Sequence, residues 1–193
     1  MNAEAKLDRR VVKTREAINK AFLELFAEKE FQQITINDIS DRANVNRGTV
    51  YLHYADKYDL LDKNIESHLN RLLAFCGHGD AASTDDISAL GSELKPVFDY
   101  LAANYPFFSA MFANQRTSVF RERMLAFVAG GVRRKLEANG GAARVDHELH
   151  AEFMASAFVG IVEWWIRRAM PHSPEAMAEQ LSDLFAKNDI ELR

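Results

Sequence analysis

The residues best suited to chemistry in this sequence are hydrogen-bonding side chains concentrated in one short segment. They lie within residues 47–54 and comprise Arg47, Thr49, Tyr51, His53 and Tyr54. Guanidinium, hydroxyl, phenol and imidazole groups make hydrogen bonds, so the segment is suited to recognising a polar surface. The sequence contains no glycine-rich phosphate loop, no paired nucleophile and base, and no metal-ligand spacing. We therefore expect a binding protein that is not an enzyme and has no metal or cofactor.

The segments around this group have the periodicity of helices. Between residues 9 and 29, apolar residues such as Ile18, Phe22 and Leu25 recur on one helical face. Similar periodicity, interrupted by turn residues, predicts further helices at 36–43, 47–53, 57–75, 90–104, 107–113, 117–138, 146–169 and 174–187. No stretch alternates apolar and polar residues as a strand does, so the predicted fold class is all-α.

Two of these helices are short and are joined by a tight turn. Thr35, followed three residues later by Asp38, has the spacing of a capping box at the start of helix 36–43. Asn44 tolerates the left-handed backbone that ends a helix, and Asn46 is a good N-cap for the next one. Two short helices joined by a three-residue turn and supported by longer helices form a helix-turn-helix, whose second helix lies in the major groove of DNA.

The predicted contacts to DNA follow from this arrangement. Gly48 allows close approach of the backbone to DNA, while Val50 and Leu52 are expected to anchor the helix to its supports. Thr35 and the N–H groups that follow it are suited to holding a phosphate, and Lys57 to reaching another. The predicted DNA-binding residues are Thr35, Asn46, Arg47, Gly48, Thr49, Tyr51, His53, Tyr54 and Lys57.

A resemblance to the DNA-binding domain of the TetR family of regulators is carried by residues 31–61, which have the sequence FQQITINDISDRANVNRGTVYLHYADKYDLL. The family pattern is T-[IV]-x-x-[IL]-A-x-x-A, a turn, and G-T-[LV]-Y-x-[HY]-[FY]-x-x-K-x-x-L. Ser40 replaces the usual Ala and Asn44 the usual Gly. The resemblance covers residues 9–75. It implies that the hydrogen-bonding segment described first reads bases and contacts phosphates, and that Lys57 is the family's lysine at the next helix start.

A looser resemblance lies near the C-terminus. Residues 160–168, GIVEWWIRR, and 173–181, SPEAMAEQL, are similar to the C-terminal pattern of a Firmicutes-type subgroup of the TetR family. That subgroup includes regulators that resemble the dihydroxyacetone-kinase activator. The similarity implies two closing helices that pack against their mates in a partner chain.

The C-terminal part is rich in aromatic residues and methionines. Most of these side chains are expected in a core or a dimer interface, but their density also suits an apolar ligand pocket between helices. Glu163 interrupts an apolar helix face, and if buried its carboxylate would need Arg116 or a ligand as a partner. The ligand-binding candidates are Phe107, Phe108, Met111, Phe112, Phe127, Glu163 and Trp165.

Residues 146–187 are the predicted dimer interface. Small residues allow helices to approach closely, and two helices from each chain would form a four-helix interface with twofold symmetry. The alternative is an ordinary core within one chain. The dimerisation candidates are Ala151, Ala155, Phe158, Ile161, Val162 and Leu181. In the same helix, His147, Glu148 and His150 have a spacing common on solvated helices, so no metal site is predicted.

The net charge of −4 is a weak argument against nucleic-acid binding. The excess negative charge lies in residues 61–193, whereas residues 1–60 contain equal numbers of basic and acidic residues. The N-terminus is locally basic, with Lys6, Arg9, Arg10, Lys13 and Arg15. This segment is either an unattached terminus or an arm that enters a DNA minor groove, because phosphate neutralisation needs only charge and reach.

A single cysteine, Cys76, excludes a disulfide within the chain and indicates a reducing compartment. The sequence has no apolar leader and no run of about 18 apolar residues, so we expect a cytoplasmic protein that makes no membrane contact. The predicted domains are residues 1–56, an arm and helix-turn-helix; residues 57–76, a connecting helix; and residues 77–193, a larger helical regulatory and dimerisation domain.

These patterns predict a homodimer that binds double-stranded operator DNA and regulates transcription. Repression released by a small molecule in the C-terminal domain is the leading hypothesis, with a coupling energy of about 1–3 kcal/mol between the two sites. A protein partner in place of the small molecule is the alternative. The sequence does not decide between repression and activation.

Overall fold

The computed structural model describes residues 3–76, 87–113, 117–138 and 146–191, with side chains described at 9–75, 94–113, 119–137 and 146–185. These residues form nine helices and a 3-10 turn at Phe31–Gln33. The helices are α1 (Ala3–Glu28), α2 (Ile36–Ala43), α3 (Arg47–Tyr51), α4 (Lys57–Cys76), α5 (Ile87–Ala103), α6 (Tyr105–Ala113), α7 (Thr117–Ala138), α8 (His147–Arg167) and α9 (Pro174–Glu191). No strand occurs in the described ranges, which confirms the all-α prediction. No helix there is long and apolar enough to cross a membrane.

The chain separates into two compact units, Met1–Ser67 and His68–Arg193. The division falls inside α4, the helix that occupies the predicted connecting segment. The assignment of DNA binding to one domain and regulation to the other stays a prediction.

The core of the first unit is built around α1. Ile18, Phe22, Ile39 and Val50 have no exposed surface. The ring of Phe31 lies 6.3 Å from that of Phe22 and meets it edge to face. Burying an apolar side chain of this size contributes about 1.5–3 kcal/mol. This core holds α2 against α1 and α3 against α2.

The boundaries of the two short helices are set by the predicted caps. Thr35 and Asp38 form a capping box in which the side chain of each accepts the backbone N–H of the other. Asn44 adopts φ 53° and ψ 48°, the left-handed conformation that ends α2. The Asn46 Oδ1 accepts the N–H of Gly48 at 2.8 Å and starts α3. All of these cap predictions are confirmed.

The second unit is a bundle in which α5 packs against α9, α7 packs against α8, and α6 contacts both α7 and α8. Large side chains fill its interior. Phe98, Leu101, Phe108, Met124 and Trp165 have no exposed surface. These residues come from four different helices, so the core joins α5, α6, α7 and α8.

The turn between α8 and α9 is strained. Ala169 and Met170 are consecutive residues at φ 54° and 56°, where a side chain costs about 1–2 kcal/mol per residue. The turn is closed by two hydrogen bonds of Trp165: its carbonyl accepts the Met170 N–H at 2.9 Å, and its indole Nε1 donates to the His172 carbonyl at 2.9 Å.

Candidate nucleic-acid interface

The predicted recognition helix α3 is short and is fixed at both ends. Its N-terminus is capped by Asn46, and its Val50 side chain is fully buried, as predicted for an anchor. A Cβ on Gly48 would lie 3.3 Å from the Asn46 Oδ1. The glycine therefore leaves room for the cap itself, a reason for its presence that does not depend on DNA.

Arg47 and Tyr51 form a polar pair on the exposed side of α3. The Arg47 guanidinium donates to the Tyr51 hydroxyl at 3.1 Å and lies 5.5 Å from the centre of its ring. Tyr51 is 45% exposed, and Thr49 between them is half-buried. Because the phenol accepts from Arg47, its own O–H can still donate outward.

Leu52, predicted to be an anchor, is 82% exposed, so that prediction is wrong. The reason is geometric. Leu52 follows Val50 by two residues, which places it about 200° around the helix axis from the buried side. Its apolar side chain is therefore exposed to solvent.

Tyr54 occupies a core position in place of the predicted DNA contact. It is 2% exposed, and its hydroxyl donates to the Asn19 Oδ1 at 2.8 Å. The Asn64 amide donates to the same oxygen at 3.3 Å and to the Leu60 carbonyl at 2.8 Å. This buried network attaches the segment after α3 to α1 and α4. His53 beside it is half-buried and stays a candidate for DNA contact.

Lys57 is engaged by the protein itself. Its Nζ donates to the carbonyls of Phe31, Gln32 and Ile34 at 2.9, 2.9 and 2.8 Å. It also lies 4.9 Å from the centre of the Phe31 ring. An ammonium group has three protons, and three carbonyls accept them. The structure therefore gives Lys57 a positioning role that ties α4 to the loop before α2, in place of the predicted phosphate contact.

The start of α2 is also internally bonded. Besides the capping box, the Thr35 hydroxyl donates to the Asp38 carboxylate at 2.8 Å, and Lys29 donates to it at 3.0 Å. Hydrogen bonds from the Thr35 backbone and hydroxyl, and then from Lys29, lower the pKa of Asp38 to about 2. A phosphate at Thr35 would have to compete with this carboxylate, so the predicted contact at Thr35 is disfavoured.

Arg42 attaches the end of α2 to α1. Its guanidinium makes a two-pronged ion pair with Glu28, at 2.9 and 2.8 Å, and lies 3.6 Å from Glu24. The bidentate pair lowers the pKa of Glu28. Such planar pairing fixes orientation as well as distance. Helix α2 is thus held at its end by Glu28 of α1 and at its start by Lys29, the residue that follows α1.

The predicted ligand-pocket residues are mostly interior side chains of the second unit. Phe107, Phe108, Met111, Phe112 and Trp165 are buried, whereas Phe127 is half-buried. The rings of Phe107, Phe108 and Phe112 each lie within 6.3 Å of the ring of Phe120, which is not among the predicted ligand-binding residues. Trp165 instead packs edge to face on Phe98 at 5.3 Å.

Glu163 has two arginine partners. Arg121 donates to it at 3.3 Å and Arg167 at 3.2 Å. Its side chain is 21% exposed, so the carboxylate is paired at the edge of the unit. The predicted partner Arg116 lies outside the described residues.

His68 and Tyr100 form a polar pair among the aromatic rings of the second unit. The sequence did not predict this pair. The Tyr100 hydroxyl lies 2.7 Å from the His68 Nδ1, and the His68 imidazole stacks on Phe107 at 3.8 Å. Burial lowers the pKa of His68 to about 4. Burial also raises the pKa of Tyr100, against an opposing effect of Arg71. The two residues lie 32 positions apart, so no local pattern could reveal them.

The predicted dimer residues mostly serve the core of one chain. Ala151, Ala155, Phe158, Val162 and Leu181 are buried within the protomer, and Ile161 is half-buried. Ala151 and Ala155 pack against Ala129 of α7. The assignment of the five buried residues to a partner surface is therefore corrected: the small side chains permit close approach of α7 and α8 in one chain.

A different set of residues on the same helix is open to a partner. On α8, Leu149 is 64%, Phe153 51% and Trp164 40% exposed. A Cβ added at Gly160 would meet nothing within 4 Å. At about 100° per residue these four positions fall within about 60° of arc, opposite the buried face of α8. We call this set the α8 stripe.

Two family models match the chain. The model described as bacterial regulatory proteins of the tetR family matches residues 18–63, which contain α2 and α3. A model described as a transcriptional regulator C-terminal region matches residues 92–187. The matches fall in the first and second structural units.

Relatives and solved structures agree with these matches. The HTH-type transcriptional regulator YxbF of Bacillus subtilis (strain 168) is 30% identical over 183 residues, 92% of this chain and 46% of that protein. The chain thus spans about half the length of this relative.

Two solved structures share the fold. The dihydroxyacetone kinase operon activator DhaS has a TM-score of 0.66 at 20% identity, over 93% of this chain and 98% of its own. The regulator FadR from Bacillus subtilis in complex with stearoyl-CoA has a TM-score of 0.64 at 17% identity, over 89% and 97%. The resemblance inferred from residues 31–61 is confirmed, and the chain belongs to the TetR family of bacterial transcriptional regulators.

Proposed function

We propose that this chain is a sequence-specific DNA-binding transcriptional regulator that acts as a homodimer on operator DNA. The observation that carries the proposal is the Arg47–Tyr51 pair on the exposed side of a helix anchored by buried Val50. Arginine and tyrosine side chains held in this way can bond base edges and phosphates in a major groove. The proposed DNA contacts are Arg47, Gly48, Thr49, Tyr51 and His53, with Asn46 holding the helix start.

One recognition helix contacts few base pairs, so operator affinity requires two copies. We propose that the α8 stripe binds a second copy of this chain. Its exposed Phe153 and Trp164 supply apolar area, and Gly160 between them lets two helix backbones approach. Phe153→Glu should place a charge in this interface and give a monomer in sedimentation velocity, with Glu152→Gln as the exposed control. A Phe153→Glu protein that stays dimeric would refute the proposal that the α8 stripe is the dimer interface.

Control by an apolar ligand is the proposed regulation, with repression released by binding. Support comes from the aromatic interior of the second unit and from the fold shared with FadR, which was crystallised with stearoyl-CoA. The fold shared with DhaS, an operon activator, favours activation as the second candidate. Stearoyl-CoA is the first probe. A repressor should lose about 5–150-fold in operator affinity when it binds, and an activator should gain.

The direct test begins with selection. The full chain is mixed with a library of random duplexes, and the bound duplexes are sequenced. We expect an inverted repeat with half-sites spaced by about 10 base pairs or a multiple. Tyr51→Ala should abolish the enrichment while the far-ultraviolet circular dichroism stays unchanged. Recovery of no preferred sequence by the wild-type chain at low salt would overturn the proposal.

A further inference from the structure

Helix α1 extends beyond the core that it supports. Ile18 is its first described residue with a fully buried side chain, whereas residues 9–17 are exposed or half-buried. We call residues 9–17 the basic extension. It contains Arg9, Arg10, Lys13 and Arg15, and one acid, Glu16. All four cations are exposed, so more than two helical turns carry a concentrated positive charge.

Three of these cations share one face. At about 100° per residue, Arg9, Arg10 and Lys13 fall within about 100° of arc. The buried residues of α1, such as Ile18 and Phe22, lie on the opposite side of the axis. The charged face therefore points away from the core of the first unit and is available to an anionic surface.

The helical form excludes one of the two sequence interpretations. An α-helix with its side chains is about 10–12 Å across, whereas the minor groove of B-DNA is about 6 Å wide. A helical extension cannot enter that groove as a flexible arm does. It can lie across phosphates, which in duplex DNA present about one charge per 1.7 Å of axis.

The extension begins near the end of the recognition segment. Tyr54, three residues after α3, donates its hydroxyl to Asn19 of α1 at 2.8 Å. At about 1.5 Å per residue, Arg15 lies roughly 6 Å and Arg9 roughly 15 Å from Asn19 along the helix axis. The cations therefore lie about 6–15 Å, measured along the axis of α1, from the residue that contacts Tyr54.

We propose that the basic extension is a second DNA contact, which binds the phosphates flanking the sequence read by α3 and reads no bases. The inference rests on the proposed function, because it places the operator at α3. Under this proposal, Arg9, Arg10 and Lys13 bind the flanking phosphates and so raise the affinity for DNA. The preference for particular bases comes from α3.

The test uses the triple variant Arg9→Gln/Arg10→Gln/Lys13→Gln, since glutamine keeps helix propensity. The probes are the selected inverted repeat alone and the same repeat with about one helical turn of duplex on each side. Binding is measured by fluorescence anisotropy between about 50 and 200 mM KCl. The control is Arg123→Gln/Arg134→Gln/Lys135→Gln on α7, which removes the same charge from the second unit.

The wild-type chain should bind the flanked duplex more tightly. The triple variant should lose this advantage, and its log–log salt slope should fall by about 2–3, or roughly 0.9 per phosphate. Its preference for the repeat over a scrambled duplex should be unchanged. An unchanged salt slope would overturn the inference, and so would a loss of affinity for the flanked duplex no larger than that of the α7 control. In either case the selected repeat would still support the proposed function. A wild-type chain that selects no repeat would overturn both.

Discussion

Both units of this molecule have apolar cores, but they differ in the polar contacts that accompany those cores. In the first unit, charged side chains hold backbone and helices in place, as Lys57 does with three carbonyls and Arg42 with Glu28. In the second unit, large rings fill the interior, and His68 with Tyr100 is a polar contact among them. Packing is lost when volume is removed, whereas a polar anchor is lost when its donor is removed. The units should therefore respond to different substitutions.

The largest effect is expected in the ring-packed unit. Trp165→Ala removes a fully buried ring and its hydrogen bond to the His172 carbonyl, and should destabilise the protein by about 3–5 kcal/mol. Urea unfolding followed by circular dichroism measures this. Trp164→Ala, the adjacent and exposed control, should keep the fold and weaken dimerisation in sedimentation velocity. Equal loss of fold in both variants would contradict the packing described for α8.

The next effect tests the polar anchor of the first unit. Lys57→Met keeps the aliphatic stem but removes the ammonium hydrogen bonds to three carbonyls, so it should cost about 2 kcal/mol. Lys20→Met, where the side chain is 81% exposed, should change stability by less than about 0.5 kcal/mol. The salt slope of DNA binding should be the same in Lys57→Met and wild type. A decrease of about 0.9 in that slope would show that Lys57 binds a phosphate instead.

A smaller effect is expected on the pH dependence of stability, through His68. The pKa of His68 in the folded protein is about 4, below its ordinary value of 6.5, so the unfolded chain takes up the proton first as pH falls. Stability should therefore decrease between about pH 6.5 and pH 4, by about 1–2 kcal/mol after allowance for solvent. His68→Gln can still accept from Tyr100 but does not titrate, and its stability should vary less over this window. Parallel stability profiles for the two proteins would refute the assignment.

The smallest expected effect is a gain in stability. Ala169→Gly relieves the side-chain cost of the left-handed backbone at φ 54°, offset in part by the greater freedom of glycine in the unfolded chain. The net stabilisation should be about 0.5–1 kcal/mol in thermal unfolding. Ala176→Gly, inside α9, is the control and should destabilise. A loss of stability in both variants would show that the turn is not strained.

Local rules made the helix-turn-helix predictable. Thr35, Asn44 and Asn46 act within four residues of their own positions, so the local sequence contains the information that sets the ends of α2 and the start of α3. Lys57 and Tyr54 differ, because their partners Phe31 and Asn19 lie 26 and 35 residues away. A contact at that separation depends on the tertiary fold, and a single sequence gives no pattern for it.

The second unit was predictable in its helices but not in the roles of their faces. Helix α8 has apolar residues on both sides: Val162 is buried in the chain, whereas Phe153 is 51% exposed. Periodicity identifies the helix but does not say which apolar face meets the same chain and which meets another. The small residues Ala151 and Ala155 suited either arrangement, and the structure places them against α7.

The chain contains two tryptophans, Trp164 and Trp165, and both lie at the end of α8. One indole is enclosed, while the other is 40% exposed and stacks near His172 at 6.0 Å. Fluorescence excited at tryptophan therefore originates only in the second unit, and the first unit contributes none. A change in the emission spectrum on adding a ligand or duplex would report a change around these two indoles at the end of α8. The emission of the Trp164→Phe variant would come from the enclosed Trp165 indole alone.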